Sequence, residues 1–313
     1  MISTPILFFI LHAGGAVFVI ACAVRAIRYA RLPLHLRWEL YPVPHEERKR
    51  AAYGGSYFEE SDWWTKPQKP HHGGDLAFMI AEILFLKGLW EFKRKMWYRS
   101  YPFHLGLYLL IGSMALLLST AAVSVFVPSL PESGMGTALY CAYTIAGASG
   151  AVLALWGAAA LLIFRVTDRE LRPYTTPGDI FNLSFFLVTM GFLMAGYIFR
   201  PEQAPGALAV ARSVLTFDTR FSAPAVLEIG MVLGALLAAY IPMTHMAHFI
   251  AKYFTYHSIR WDDEPNRVAS GLEKRLAAYL TYRPTWAAAH VGGNGVKTWG
   301  EIATTNPAQG GRK

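Results

Sequence analysis

Ile241-Pro-Met-Thr-His-Met-Ala-His-Phe249 closes the last strongly apolar stretch of the chain, residues 225–256. Roughly 25 residues without Lys or Arg precede Lys252, enough to cross a bilayer as a helix. His245 and His248 fall inside that stretch. Ionisable groups at membrane depth are costly, and their presence points to a functional site. Another imidazole, His104 in Tyr101-Pro-Phe-His-Leu-Gly106, stands at the head of a second apolar run. Neutral imidazole binds iron well, and histidine commonly holds haem iron. These stretches predict an all-α integral membrane protein whose helices hold imidazoles at one depth.

The composition agrees. The 313-residue chain is 54% hydrophobic and only 16% charged, unlike a soluble globular domain. A net charge of +8 could suggest nucleic acid. Its Lys and Arg residues cluster between apolar runs, however, which is the pattern of cytoplasmic membrane loops. Cys22 and Cys141 both lie in apolar runs and form no C-x-x-C. The chain therefore has no iron–sulfur cluster of its own, and neither cysteine requires a disulfide.

Five runs are predicted to cross the membrane: 6–27, 101–127, 137–164, about 180–198, and 224 onward. The first lacks a basic n-region and a cleavage site, and is read as a retained helix. Basic residues follow the first, third and fifth runs, placing the N-terminus outside and the C-terminus inside. Residues 76–97 are apolar but carry Glu82 and Lys87. If they crossed, the later basic loops would fall outside, so they are assigned to an interfacial helix on the cytoplasmic face. Ala146-Gly-Ala-Ser-Gly150 permits close helix approach. Thr176, Pro177 and Asp179 form a helix start, and 207–217 is a short surface helix. The domains are then 1–256, with 28–100 as a cytoplasmic insertion, and a soluble tail 257–313. Trp63, Trp64, Trp286 and Trp299 are expected to be exposed there for partner docking. His71-His72 is read as solvated rather than as a metal pair.

Helical rise places His104 roughly 8 Å inward from Arg99, and His248 roughly 6 Å inward from Lys252. The match predicts a haem clamped between His104 and His248, each ring donating its other nitrogen to a carbonyl or water. Arg94, Arg99, Lys252 and the 165–172 loop are candidates to neutralise haem propionates. The competing reading makes these histidines interhelical hydrogen-bond partners. His245, three residues before His248, is the alternative ligand; otherwise it hydrogen-bonds nearby or joins a quinone or proton path. Glu228 is a candidate for proton exchange, with a plain polar contact as its alternative. His12 is read as packed against a neighbouring helix.

Tyr-Pro-Phe-His-Leu-Gly (101–106), Arg-Pro-Tyr-Thr-Thr-Pro-Gly-Asp (172–179), Ala-Arg-Ser-Val-Leu-Thr-Phe (211–217) and the Pro-x5-His of the fifth span recur together. In this combination residues 1–256 resemble the membrane gamma subunit of respiratory nitrate reductase. The resemblance implies a five-helix cytochrome b that exchanges electrons with membrane menaquinone or another quinone, in a prokaryotic cytoplasmic membrane. The insertion and tail resemble the gamma-like subunits of sulfate-reducer electron-transfer complexes. That likeness implies a heterodisulfide-reductase-like iron–sulfur partner inside and a multihaem cytochrome c outside. Two-haem members of the family carry histidines where this chain has Met114 and Gly230. The expectation is therefore one haem b, with Met114 packing rather than ligating beside His12. A cofactor-free anchor and a proton-coupled transporter are the rival functions; nucleic acid is not expected as a partner.

Overall fold

The computed structural model of the protein describes residues 3–32, 35–36, 46, 48–53, 56–66, 72–218, 220, 223–255, 261–262, 268–286 and 291–305. Its helices are α1 (Thr4–Ala30), α2 (Arg48–Ala51), α3 (His72–Phe85), α4 (Lys87–Phe92), α5 (Arg94–Phe126), α6 (Gly134–Thr167), α7 (Pro177–Ile198), α8 (Ala207–Thr216), α9 (Ala225–Tyr240), α10 (His248–Thr255), α11 (Gly271–Leu280) and α12 (Trp299–Thr304). Among the described residues five segments are long and apolar enough to cross a membrane: α1, α5, α6, α7 and Ala225–Met243. This is the all-α, five-span architecture expected from the hydropathy. The chain divides into two compact units, residues 1–33 with 72–260, and residues 34–71 with 261–313.

Between helices in lipid the hydrophobic drive is weak, so association depends on close packing. The α5–α6 pair uses absent side chains for this. A Cβ on Gly106 would stand 2.4 Å from the Ala154 backbone nitrogen, and one on Gly157 would stand 2.5 Å from that of Phe103. Around this contact Phe103, Ala154, Ala158, Leu161, Leu183, Phe186 and Leu237 form a buried cluster drawn from α5, α6, α7 and α9. A second cluster, Leu7, Phe8 and Ala223, packs the start of α1 against α8 and α9. The α7 start is local chemistry. Thr176 Oγ1 accepts the Asp179 N–H at 3.2 Å, and Asp179 Oδ2 accepts the Thr176 N–H at 2.9 Å.

Two elements differ from expectation. Residues 76–97 are not one helix: α3 ends at Phe85, Leu86 takes a left-handed conformation (φ 51°), α4 follows, and α5 begins at Arg94, seven residues before the expected start. The Glu82 carboxylate accepts the Gly88 N–H at 2.9 Å and so caps α4, helping to offset the unusual backbone at Leu86. The fifth span is likewise not continuous to Tyr256. Pro242 lacks an N–H and its ring opposes the carbonyl four residues back, so α9 stops at Tyr240. Two 3₁₀ turns, Ile241–Met243 and His245–Ala247, lead to α10, with Thr244 extended between them. Thr244 Oγ1 accepts the Met246 N–H at 3.2 Å, capping the second turn.

In the second unit, β1 (His35–Leu36) pairs in parallel with β2 (Trp261–Asp262), His35 opposite Trp261. Buried Ser56 donates to Glu46 at 2.7 Å. Lys66 and Arg50 both bond the Glu60 carboxylate and hold it below the ordinary carboxylate range. Ser270 caps α11, and Thr298 with Glu301 forms a capping box on α12. Trp64 and Trp286 are exposed as expected; Trp63 instead packs against Tyr57 and Phe58, and Trp299 is half-buried. The side chains of His71 and His72 lie outside the described residues.

Candidate functional site

His104 lies on α5 two residues after Pro102, and His248 opens α10. Their ring centroids are 6.0 Å apart with the planes at 62°. The His104 Nδ1–H donates to the Ser100 carbonyl at 2.8 Å, with Ser100 Oγ at 3.3 Å. The His248 Nδ1–H points at the His245 carbonyl, 3.4 Å away. Each ring thus has one nitrogen tied to its own backbone, which selects the tautomer and leaves Nε2 with a lone pair. Metal–imidazole bonds are about 2 Å and a ring centre lies about 1 Å beyond its nitrogen, so two imidazoles sharing one metal have centres about 6 Å apart. Two imidazoles at this spacing, each with an Nε2 lone pair, would be able to hold a haem iron, which would supply one-electron chemistry. Among the described residues no group of three His, Cys, Asp or Glu side chains could hold a metal ion.

The C-terminal part of α3 brackets this pair. The Tyr108 hydroxyl, one turn beyond His104, donates to the Ile83 carbonyl at 2.6 Å. The Lys252 ammonium, one turn beyond His248, meets Glu82 at 2.6 Å. The Trp97 indole N–H donates to the Phe85 carbonyl at 2.7 Å and its ring stacks on Tyr101 at 4.5 Å. On another side Phe103 meets Phe186 edge-to-face at 5.2 Å. Arg99 lies over the Phe164 ring at 4.1 Å and donates to the Lys95 carbonyl. Of the cations considered for propionates, Lys252 is engaged by Glu82, and Arg165 lies 3.5 Å from Asp179.

The break in the fifth span separates the two neighbouring histidines. His248 faces α5, whereas His245 meets α7. His245 Nε2 is 3.3 Å from Asn182 Nδ2 and 3.5 Å from Asp179 Oδ1. Asn182 is buried, and its Oδ1 accepts from the Tyr240 hydroxyl at 2.8 Å. Sequence reading missed this network because its members sit on separate elements. An asparagine inside an apolar run was the signal available.

The remaining candidates lie elsewhere. Met114 is 55% exposed. Gly230 lies eighteen residues before His248, a spacing that one continuous helix would turn into five turns and a shared face. The interruption at Pro242 breaks that count, and Gly230 lies against α7, where a Cβ would stand 2.8 Å from the Leu193 nitrogen. The His12 Nδ1–H donates to the Phe8 carbonyl at 2.8 Å, and its ring stacks on Phe217 at 4.4 Å. Glu228 is buried in the first turn of α9.

The sequence pattern described as the nitrate reductase gamma subunit matches residues 89–262, more than half of the chain. The chain belongs to the nitrate reductase gamma subunit family. No curated protein matches it. Gamma subunits of this family are haem b membrane subunits that join catalytic subunits in respiratory complexes. The family match takes in His104, Met114, Gly230, His245 and His248, while α1 and α11 lie outside it.

Proposed function

We propose that this gamma-family subunit carries one haem b between His104 and His248 and passes electrons between a membrane quinone and a cytoplasmic iron–sulfur subunit. The observation that carries the reading is the imidazole pair at 6.0 Å, each Nδ1 turned to a backbone carbonyl. A bound haem b supplies a reversible one-electron store. The chain's contribution is to hold two neutral imidazoles with their Nε2 lone pairs available and to pack α3 beside them. Phe103, Phe186 and Tyr108 exclude water at that depth, which keeps the local dielectric low.

Orientation follows from the loop charges: N-terminus outside, C-terminus inside, in a prokaryotic cytoplasmic membrane. The histidine pair then lies toward the cytoplasm, where an electron has little protein left to cross. Menaquinone is the proposed membrane substrate. A heterodisulfide-reductase-like iron–sulfur protein is the proposed inner partner, and a multihaem cytochrome c the outer one. Exposed Trp64 and Trp286 support a docking role for the second unit. Reduced-minus-oxidised visible spectra of the purified chain test the reading. A b-type band at about one haem per chain is expected; a spectrally silent, folded chain would leave the anchor function instead.

A further inference from the structure

Residues 86–99, where α3, α4 and α5 meet, carry the cations Lys87, Lys93, Arg94, Lys95 and Arg99 against one carboxylate, Glu91. Two of these cations are engaged. Lys87 lies 3.7 Å from Glu91, and Arg99 is turned to the Phe164 ring and the Lys95 carbonyl. Lys93, Arg94 and Lys95 are exposed and meet no carboxylate among the described residues. Arg94 is nonetheless held in place. Its guanidinium lies 4.1 Å from the Trp90 ring centre, and its Nε–H donates to the Trp90 carbonyl at 3.3 Å. Its terminal amino groups, a planar fork that matches phosphate, stay open to a ligand. Trp90 meets Trp97 edge-on at 4.7 Å, and the Trp97 indole N–H donates to the Phe85 carbonyl. The basic turn is therefore built onto the end of α3.

An apolar surface adjoins it. Leu76, Ile80, Ile83 and Leu84 recur at helical spacing on α3 and are all exposed, whereas Met79 and Leu86 are buried and Glu82 is turned to Lys252. Helix α3 is thus apolar on its outer face as well as its inner one. Phe85 and Phe92, 55% and 80% exposed, end α3 and α4, and Phe92 directly precedes Lys93. An acidic protein would answer the cations but not this apolar face. The turn also lies about two helical turns before Tyr101, where the apolar run of the α5 span begins and the polar headgroup layer of a bilayer is met. We infer that this corner binds an anionic phospholipid, its phosphate on Lys93, Arg94 and Lys95 and its acyl chains along the outer face of α3. Helix α3 precedes residues 89–262, so the acyl-facing part of the site lies outside the family match. Lipid binding here requires neither haem nor quinone.

The test uses the full chain, stripped of lipid, in dodecyl maltoside micelles. The probe is phosphatidylglycerol with dibrominated acyl chains, which quench nearby tryptophans, and quenching titrations give the affinity. Wild type should bind it about tenfold or more tightly than phosphatidylcholine with the same chains, and less tightly as salt rises. The triple variant Lys93→Gln, Arg94→Gln and Lys95→Gln should lose about a hundredfold, since each cation near an anionic headgroup is worth about fivefold. Only exposed charges are removed, so its circular dichroism and lipid-free unfolding temperature should match wild type. Arg169→Gln with Arg172→Gln takes two exposed cations from another basic loop and should leave the affinity nearly unchanged. Inorganic phosphate in large excess should not displace the lipid, because it lacks acyl chains. Equal loss per charge in the two charge variants would show diffuse attraction and overturn the site, as would equal affinity for the two lipids. Displacement by inorganic phosphate would show a free-anion site and overturn the lipid assignment.

Discussion

The carboxylate of Glu82 lies 2.6 Å from the ammonium of Lys252, across 170 residues of sequence. Both side chains are largely covered, Glu82 at 13% and Lys252 at 28% exposed. The pair ties α3 to α10 one turn after His248, and the other Glu82 oxygen holds the Gly88 N–H. One carboxylate therefore fixes the α3–α4 corner and the short helix that presents a histidine.

Removing one partner of such a pair leaves a covered charge alone. Glu82→Ala should destabilise the protein by about 1–3 kcal/mol, less than a fully buried pair because Lys252 keeps some solvent. Haem retention should fall, since α10 loses an anchor. The double variant Glu82→Gln with Lys252→Met removes both charges and should regain part of the loss. Thermal unfolding with haem content checks this; a double variant no better than Glu82→Ala would argue that the pair acts only by packing.

The histidine pair makes a separable prediction. His104→Ala and His248→Ala should each remove the b-type band, because each takes away an Nε2. His245→Ala should retain the band and shift its midpoint potential, since its ring faces Asp179 and Asn182 rather than His104. Retention of the spectrum in His248→Ala would mean that the ligand is assigned wrongly. Visible spectra and potentiometric titration of the three variants decide.

Much of this was legible in the chain. The spans followed from runs of apolar residues, and the start of α7 from Thr176, Pro177 and Asp179 within four residues. The interruption at Pro242 had a visible cause, but an apolar run reads as continuous to any count based on hydropathy. The left-handed turn at Leu86 left no trace, because Leu is a poor residue for that backbone; the Glu82 cap on Gly88, which helps to offset it, is a side-chain contact that local pattern does not announce. Pairings such as Glu82 with Lys252, or Asn182 with His245, join segments that local pattern cannot relate.

Two glycines on α5 separate packing from propensity. A Cβ on Gly106 meets the α6 backbone at 2.4 Å, while one on Gly112 meets nothing within 4 Å. Gly106→Ala should cost about 1–3 kcal/mol by forcing α5 and α6 apart. Gly112→Ala should be neutral or stabilise by up to about 1 kcal/mol. Equal effects in thermal unfolding would contradict the close contact.

Orientation can be read with a cysteine reagent that does not cross membranes, in a background with Cys22 and Cys141 replaced by Ser. Ser61 and Ser129 are exposed, whereas Ser56 is buried against Glu46 and would report poorly. Ser129→Cys should label from outside intact cells and Ser61→Cys should not. Labelling of Ser61→Cys would reverse the assigned topology.

The single-haem expectation makes its strongest claim at Gly230. The resemblance to two-haem members of the family implies a histidine at this place, so Gly230→His together with Met114→His tests whether an outer ligand pair can be built. The packing opposes it. A Cβ at Gly230 would stand 2.8 Å from the Leu193 nitrogen and 3.0 Å from its Cα, and backbone cannot swing aside as a side chain can. Any residue larger than glycine must push α9 from α7, at about 1–3 kcal/mol. A ring placed there starts at the α7 contact rather than toward α5, and Met114 is 55% exposed on its own helix. The double variant should therefore bind no more haem than the wild type and unfold at a lower temperature. Pyridine haemochrome assay per chain, with a search for a second redox wave, measures both. A ratio near two in the variant would show that α7 and α9 can separate to admit a second haem.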